Sequence, residues 1–255
     1  MFSLSCRSAA TARALRPHFP VASEFAAPGA LVRCARTKRY ASTAAAPQVD
    51  QVSSHDYQAP ETFRTPLSNE QKEFLDGALR VNQAGELAAV LIYLSQTPPI
   101  VRSHPHLRPL MKHMLDQERG HFDTFNHLLA KHRIRPTVMY PLWTAASTVL
   151  GWGTGVMGRE AAMACTEAVE TEIGQHYNEQ VAELLEWEQQ LQAKGEKLGP
   201  ELKELLTNLR RIRDEELEHL DHAVENDAKE ARPYELLTNV IRGGCRAAIW
   251  LTEKA

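Results

Sequence analysis

The sequence predicts an all-α protein, a four-helix bundle with an additional C-terminal helix and a long crossover between the second and third bundle helices. Three observations carry this expectation. Apolar residues recur at spacings of three and four through most of residues 68–252, the period of one helix face. Alternating runs of β-branched residues do not occur, so strands have no signature. Proline and glycine gather at 97–105, 136–158 and 194–200, where they punctuate the helical pattern.

Ser68 followed by Gln71 is a capping-box start, and opens a first helix at 68–96 that Pro98-Pro99 should stop. A second covers 106–132 and breaks off before Pro136. A third spans 159–193, with Gly195, Gly199 and Pro200 marking its turn. The fourth runs over 201–229 to Pro233, and a last helix fills 234–252. Between the second and third lies "PTVMYPLWTAASTVLGWGTGVMG", 136–158, without a charged residue. Its length invites a transmembrane reading, but its prolines, glycines and threonines disfavour a straight lipid-exposed span. Two readings stay open for it, a surface segment dipping into one leaflet and a buried crossover.

Residues 1–40 read as a mitochondrial transit peptide, 41–66 as an Ala-, Ser- and Pro-rich linker, and 67–255 as the folded domain. Through residue 49 seven basic residues, Arg7 to Arg39, stand against the single acid Glu24. An Arg- and Ser-rich, acid-poor leader without a long apolar run suits matrix import better than secretion, with processing near Arg39-Tyr40-Ala41; an ordinary disordered tail is the alternative. The formal charge of -3 gives no general case for nucleic-acid binding. Cys6 and Cys34 would leave with the leader, and Cys165 and Cys245 have no CxxC spacing, which suggests neither a disulfide framework nor a zinc ribbon.

The chemistry lies where charged residues interrupt apolar stripes. Leu205, Leu209, Ile212, Glu216, His219 and Ala223 share one face of the fourth helix, so Glu216 and His219 point inward, while Glu215, Glu218 and Asp221 fall on other faces and are expected in solvent. The second helix repeats the pattern, with Glu118 and His121 in the stripe Met111, Met114, Phe125 and Leu128. Glu86 interrupts the stripe Leu75, Leu79, Asn82, Val90 and Tyr93, and Glu170 that of Met163, Glu167, Ile173, Tyr177 and Leu184. The order is Glu, ExxH, Glu, ExxH: two copies of a helix-pair unit. Position 102, midway between Glu86 and Glu118, falls in the first turn, so antiparallel helices bring the two carboxylates to similar height. For Glu170 and Glu216 the midpoint is 193, near the 194–200 turn, a looser match.

Carboxylates taken from water without partners would shift their pKa upward or unfold the bundle. Two divalent cations cancel the charge of four carboxylates, and two neutral imidazoles complete an O/N set suited to iron or manganese. One Glu from each of two helices plus ExxH from the other two is the ferritin-like di-iron carboxylate arrangement. His104, His106, His113, His127 and His132 lie outside the repeat and are expected to be solvated or capping. His176 and Tyr177, about two turns beyond Glu170, are in position to hydrogen-bond the ligands, with core packing the alternative.

The chain resembles the demethoxyubiquinone hydroxylases of ubiquinone biosynthesis, and in particular a fungal mitochondrial member. The matching stretches are "NQAGELAAVLIY", "DQERGHFDTFNHLL", "PLWTAASTVLGWGTGVMG", "ACTEAVETEIGQHYNEQ", "RDEELEHLDHAVE" and "GGCRAAIWLTEKA", from about residue 70 to the C-terminus. Carried over residue by residue, the family's metal ligands fall on Glu86, Glu118, His121, Glu170, Glu216 and His219, and its His-Tyr pair on His176 and Tyr177. Two departures stand out: Gln83 where the family often has His, and a spacer between Glu170 and Glu216 longer by about three turns than in animal relatives.

The resemblance implies a monooxygenase that inserts one oxygen atom of O₂ into the ring of a polyprenyl demethoxyubiquinol, giving the 5-hydroxy product. It implies two iron ions, bridged by Glu118 and Glu170, with NADH as an electron source, although no dinucleotide fingerprint is present. It further implies a peripheral position on the matrix side of the inner mitochondrial membrane, reached through 136–158 and the last helix, whose Leu237, Val240, Ile241, Ala248 and Trp250 contrast with Arg242, Arg246 and Lys254. A lipid-binding companion protein and the ubiquinone-synthesis complex are the implied partners, with no nucleic acid; the same apolar surfaces also suit a homo-oligomer. The rival readings are a ferritin-like iron-binding or ferroxidase protein and a helical bundle without metal.

Overall fold

The computed structural model describes residues 66–255; the expected transit peptide at 1–40 and the linker up to residue 65 lie outside the described residues. Six helices follow in order: α1 (Asn69–Ser103), α2 (Arg108–His132), α3 (Tyr140–Met157), α4 (Arg159–Ala193), α5 (Pro200–Glu225) and α6 (Tyr234–Lys254). Short 3-10 turns at Pro105–Leu107 and Ala228–Glu230 precede α2 and α6. No strand occurs among the described residues. The four long helices α1, α2, α4 and α5 form the bundle, α3 is the crossover, and α6 is the additional C-terminal helix.

The capping box forms at the start of α1. The Gln71 backbone N–H donates to Ser68 Oγ at 3.1 Å, and the Ser68 N–H donates to Gln71 Oε1 at 3.0 Å, satisfying donors that a helix start leaves unpaired. Contrary to the expected stop, α1 runs through Pro98 and Pro99 to Ser103. Two prolines remove two intrahelical donors, yet the turn beyond them carries Ile100 and Val101 into the core, and burying two such side chains contributes about 1.5–3 kcal/mol each. The fourth bundle helix ends four residues earlier than expected, at Glu225, with the 3-10 turn taking up the remainder.

Segment 136–158 is a helical crossover rather than irregular chain. α3 lies along α1, and the approach is set by glycine: a Cβ on Gly151 would stand 2.5 Å from the Ile92 carbonyl oxygen, and one on Gly155 2.9 Å from Pro99 Cγ. The opposite face presents Leu142, Val149, Trp152, Val156 and Met157 to solvent. No helix among the described residues is long and apolar enough to cross a membrane. α6 covers α4, where Arg242 Nε (2.5 Å) and Arg246 Nη1 (3.2 Å) both reach the buried Glu172. α3 and α6 are joined by the Trp143 indole N–H, which donates to Thr252 Oγ1 at 3.0 Å. With α3 and α6 on its back, the first ten-residue stretch of α4 after Glu160, 161–170, is buried on every face.

Two apolar clusters fill the bundle along its axis, and a third, with Ile92, Val169 and Ile241, lies beneath α6. Of the axial two, one gathers Leu79, Phe125, Tyr177 and Ile212, the other Tyr93, Met114, Met163 and Ala223. On each bundle helix the charged interruption falls between a residue of one cluster and a residue of the other, so hydrocarbon closes the site at both ends.

Candidate metal centre

Glu86, Glu118, His121, Glu170, Glu216 and His219 converge between those clusters, each at most 2 % exposed. They form two overlapping groups. Glu86, Glu118, His121 and Glu216 bring one ligand atom each within 4.8 Å of one another, and so do Glu118, Glu170, Glu216 and His219. Two carboxylates belong to both. Glu216 sets Oε1 3.0 Å from His121 Nδ1 and Oε2 3.0 Å from His219 Nδ1. Glu118 likewise sets Oε1 2.9 Å from His219 Nδ1 and Oε2 3.8 Å from His121 Nδ1. The residues common to both groups are Glu118 and Glu216, where Glu118 and Glu170 were expected to be shared. The two ExxH helices place their carboxylates between the imidazoles, whereas Glu86 and Glu170 flank the pair on opposite sides.

The outer edges of both imidazoles are also held. His121 Nε2 lies 2.5 Å from Glu215 Oε2 on α5, and His219 Nε2 lies 3.0 Å from Gln117 Oε1 on α2. A ring that donates its Nε2–H outward presents the Nδ1 lone pair inward, the tautomer a metal requires. The expectation of a solvated Glu215 is thus corrected: it is half-buried and engaged with His121. No periodicity within α5 marks it, because its partner sits on another helix. Gln117, whose neighbour Glu118 was singled out, carried no sequence signal either.

Tyrosines complete the surroundings. The Tyr177 hydroxyl donates to Glu86 Oε1, and the Tyr93 hydroxyl donates to Glu170 Oε1 at 3.1 Å. Burial and the neighbouring carboxylates push both phenols well above their ordinary pKa, so both stay donors. His176 takes a different place. Its Nε2 lies 2.7 Å from Gln180 Nε2, and Gln180 is paired in turn with Asn82 through two hydrogen bonds. Burial lowers its pKa, so the ring is a neutral acceptor.

Among the protein groups themselves, protons balance the charge. Burial pushes Glu86 up to about 8, and burial with the neighbouring carboxylates pushes Glu170 well above the usual range. Burial also opposes charge on Glu216, but hydrogen bonds from His121 and His219 outweigh it and hold this carboxyl down to about 2. The same bonds to Glu118 and Glu216 overcome burial at the imidazoles, raising His219 to about 11 and His121 as well. Although these groups crowd together, Glu86 Oε2, both Glu118 oxygens and His121 Nδ1 lack a hydrogen bond of good geometry. Buried polar atoms of that kind are rare without a reason. Aimed at one another from separate helices, oxygen and imidazole donors suit iron or manganese, and two divalent cations would balance the charge in place of the protons.

An apolar cavity of about 370 Å³ adjoins the site between α1, α3, α4 and α6. Its inner wall includes Gly85 and Val169, the neighbours of Glu86 and Glu170, together with Tyr177. Its outer wall includes Val240, which is 65 % exposed, so the cavity opens beside α6.

Comparison with known proteins agrees with this geometry. The family described as ubiquinone biosynthesis protein COQ7 matches residues 73–252. The 5-demethoxyubiquinone hydroxylase, mitochondrial, of Saccharomyces cerevisiae is 47% identical over 190 residues, covering 74% of this chain and 81% of its own. The NADPH-dependent 3-demethoxyubiquinone 3-hydroxylase, mitochondrial, of Homo sapiens is 40% identical over 188 residues, with shares of 74% and 81%. The 3-demethoxyubiquinol 3-hydroxylase of Rhodospirillum rubrum is 37% identical over 191 residues, with shares of 75% and 83%.

Proposed function

The chain belongs to the COQ7 family of ubiquinone biosynthesis proteins, and from that premise we propose that it hydroxylates the ring of a polyprenyl demethoxyubiquinol with O₂ at a di-iron centre. One oxygen atom enters the ring, and the other leaves as water with two electrons and two protons. The observation that carries the reading is the adjacency of an apolar cavity to a buried cluster of four carboxylates and two imidazoles. An iron-storage protein needs the second and has no use for the first.

In this reading Glu86, Glu118, His121, Glu170, Glu216 and His219 would together hold the two ions. A pair of ferrous ions, when bound, supplies O₂ binding and the redox chemistry of oxygen insertion. The protein supplies the rest. Glu215 and Gln117 orient the imidazoles, and Tyr177 and Tyr93 hold protons against Glu86 and Glu170. The apolar clusters above and below keep water from the reacting centre. The ring lies at the inner end of the cavity near Gly85 and Tyr177, and the tail runs out past Val240.

A tail that emerges there meets the apolar surfaces of α3 and α6. Trp152, Val156, Leu236, Val240 and Trp250 are exposed, which supports a peripheral position on a bilayer, on the matrix side of the inner mitochondrial membrane, with residues 1–40 as the import leader. The electron source is a reduced nicotinamide, NADH or NADPH, acting without a dinucleotide-binding fold among the described residues. A lipid-binding companion and the synthesis complex are the proposed partners.

The test is single-turnover chemistry. Protein reduced anaerobically and mixed with ¹⁸O₂ and a short-tailed demethoxyquinol should give a hydroxylated ring carrying one ¹⁸O. Product without label would refute the monooxygenase reading.

A further inference from the structure

α2 and α5 are stitched along one seam by a regular succession of side chains. His113 faces His222, Gln117 faces His219 and His121 faces Glu215, so each turn along α2 meets a turn back along α5. The inner two pairs hold the imidazoles of the buried centre from behind, whereas the outermost pair touches none of its six residues. Instead, His113, Glu218 and His222 each offer one ligand atom within 4.8 Å of the others. The two rings stand 6.4 Å apart, edge to face, and Glu218 Oε1 lies 3.6 Å from His222 Nε2. That separation is too long for a hydrogen bond, but it is the spacing expected of two donors that each stand about 2.1 Å from one ion.

We propose that His113, Glu218 and His222 bind a divalent transition-metal ion on the solvent side of the α2–α5 seam, as a docking point from which ions reach the buried centre. Two imidazoles and one carboxylate, with the remaining positions open to water, select Fe²⁺, Co²⁺, Ni²⁺ or Zn²⁺ over Mg²⁺ and Ca²⁺. The position argues for docking. The site is one helical turn, about 6 Å of rise, from Gln117, which is itself partly exposed and bonded to His219. The apolar cavity lies on the far side of the bundle, so this polar seam is the aqueous approach to the ligands. The docking role rests on the reading of the centre given above; the binding does not.

The experiment is titration calorimetry of the chelator-stripped full chain with Co²⁺ in excess Mg²⁺. Wild type should take up a weaker ion in addition to those of the centre. His113→Ala/His222→Ala, the first exposed and the second half-buried, should lose that ion, with affinity falling at least about tenfold, the lower bound for losing even an outer partner of a metal. Glu118→Gln/Glu216→Gln should lose the tight ions and keep the weak one, which separates failure of the centre from failure of this site. His104→Ala/His106→Ala, a second adjacent surface pair, should leave the titration unchanged. A weak ion that survives in His113→Ala/His222→Ala, or that vanishes with His104 and His106, overturns the site. If the centre of His113→Ala/His222→Ala fills with Co²⁺ as fast as wild type, the docking role is overturned; slower filling to the same final occupancy supports it.

Discussion

Glu215 Oε2 stands 2.5 Å from His121 Nε2, and Arg211 Nη1 holds the same carboxylate oxygen at 2.9 Å. The other imidazole of the centre, His219, is backed by the neutral amide of Gln117. As metal ligands the two imidazoles would therefore be unequal, because a carboxylate on the outer nitrogen makes the inner one more basic.

Glu215→Gln should weaken the ion on the His121 side about 10–100-fold while leaving the ion on the His219 side in place. Dialysis against graded chelator followed by elemental analysis reads this as one ion lost early. Equal retention in wild type and variant would count against the assigned role of Glu215.

Tyr177→Phe removes the donor on Glu86 Oε1, leaving a buried acceptor unpaired. Urea unfolding of the chelator-stripped protein should show a loss of about 1–3 kcal/mol. Tyr93→Phe, which strips Glu170 in the same way, should fall in the same range, and a variant as stable as wild type would contradict the bond.

The centre's protons set a pH dependence. Glu86 rises from 4.5 to about 8 and His219 from 6.5 to about 11. Between 4.5 and 8 the folded chain keeps a Glu86 proton that the unfolded chain releases, and above 6.5 the same becomes true of His219. Stability from both groups is thus lost as pH rises through these windows. Chelator-stripped wild type should lose Tm between pH 5.5 and 8, and Glu86→Gln should lose less. Metal runs the other way: binding displaces protons, so the Tm gained on adding Fe²⁺ anaerobically should be greater at pH 8. A metal-induced gain that shrinks with pH would contradict the proton exchange.

Gly151→Ala should push α3 off α1, since the added carbon would sit 2.5 Å from a backbone oxygen. Overpacking of this kind costs about 1–3 kcal/mol. Gly153→Ala on the same helix meets nothing within 4 Å and should be neutral or stabilising by about 0.5–1 kcal/mol. Thermal unfolding of the pair distinguishes a specific seat from a general intolerance of alanine in α3.

The sequence made the inward stripes readable because helical period alone decides which side chains share a face. Glu86, Glu118, His121, Glu170, Glu216 and His219 each break an apolar run, and all six meet in the structure. What periodicity does not carry is the contact between helices. Glu215 sits beside Glu216 but off the stripe, and only the α2–α5 pairing brings it to His121. The sharing of Glu216 in place of Glu170 likewise depends on which helices stand between the imidazoles. Local rules also yield to packing: Pro98-Pro99 reads as a stop, yet the burial of Ile100 and Val101 carries α1 past it. In 136–158, glycines that look like breaks are the contact surface on which α3 rests.

The apolar plugs above and below the carboxylates have a consequence for traffic. On the proposed reading, greasy cargo and aqueous ions would enter through the flanks, and the two flanks face opposite directions. Neither visitor has to cross the other's path, and neither requires the rods to slide lengthwise. Replacements that widen the oily side for a longer tail can accumulate without disturbing how the protein acquires its metal.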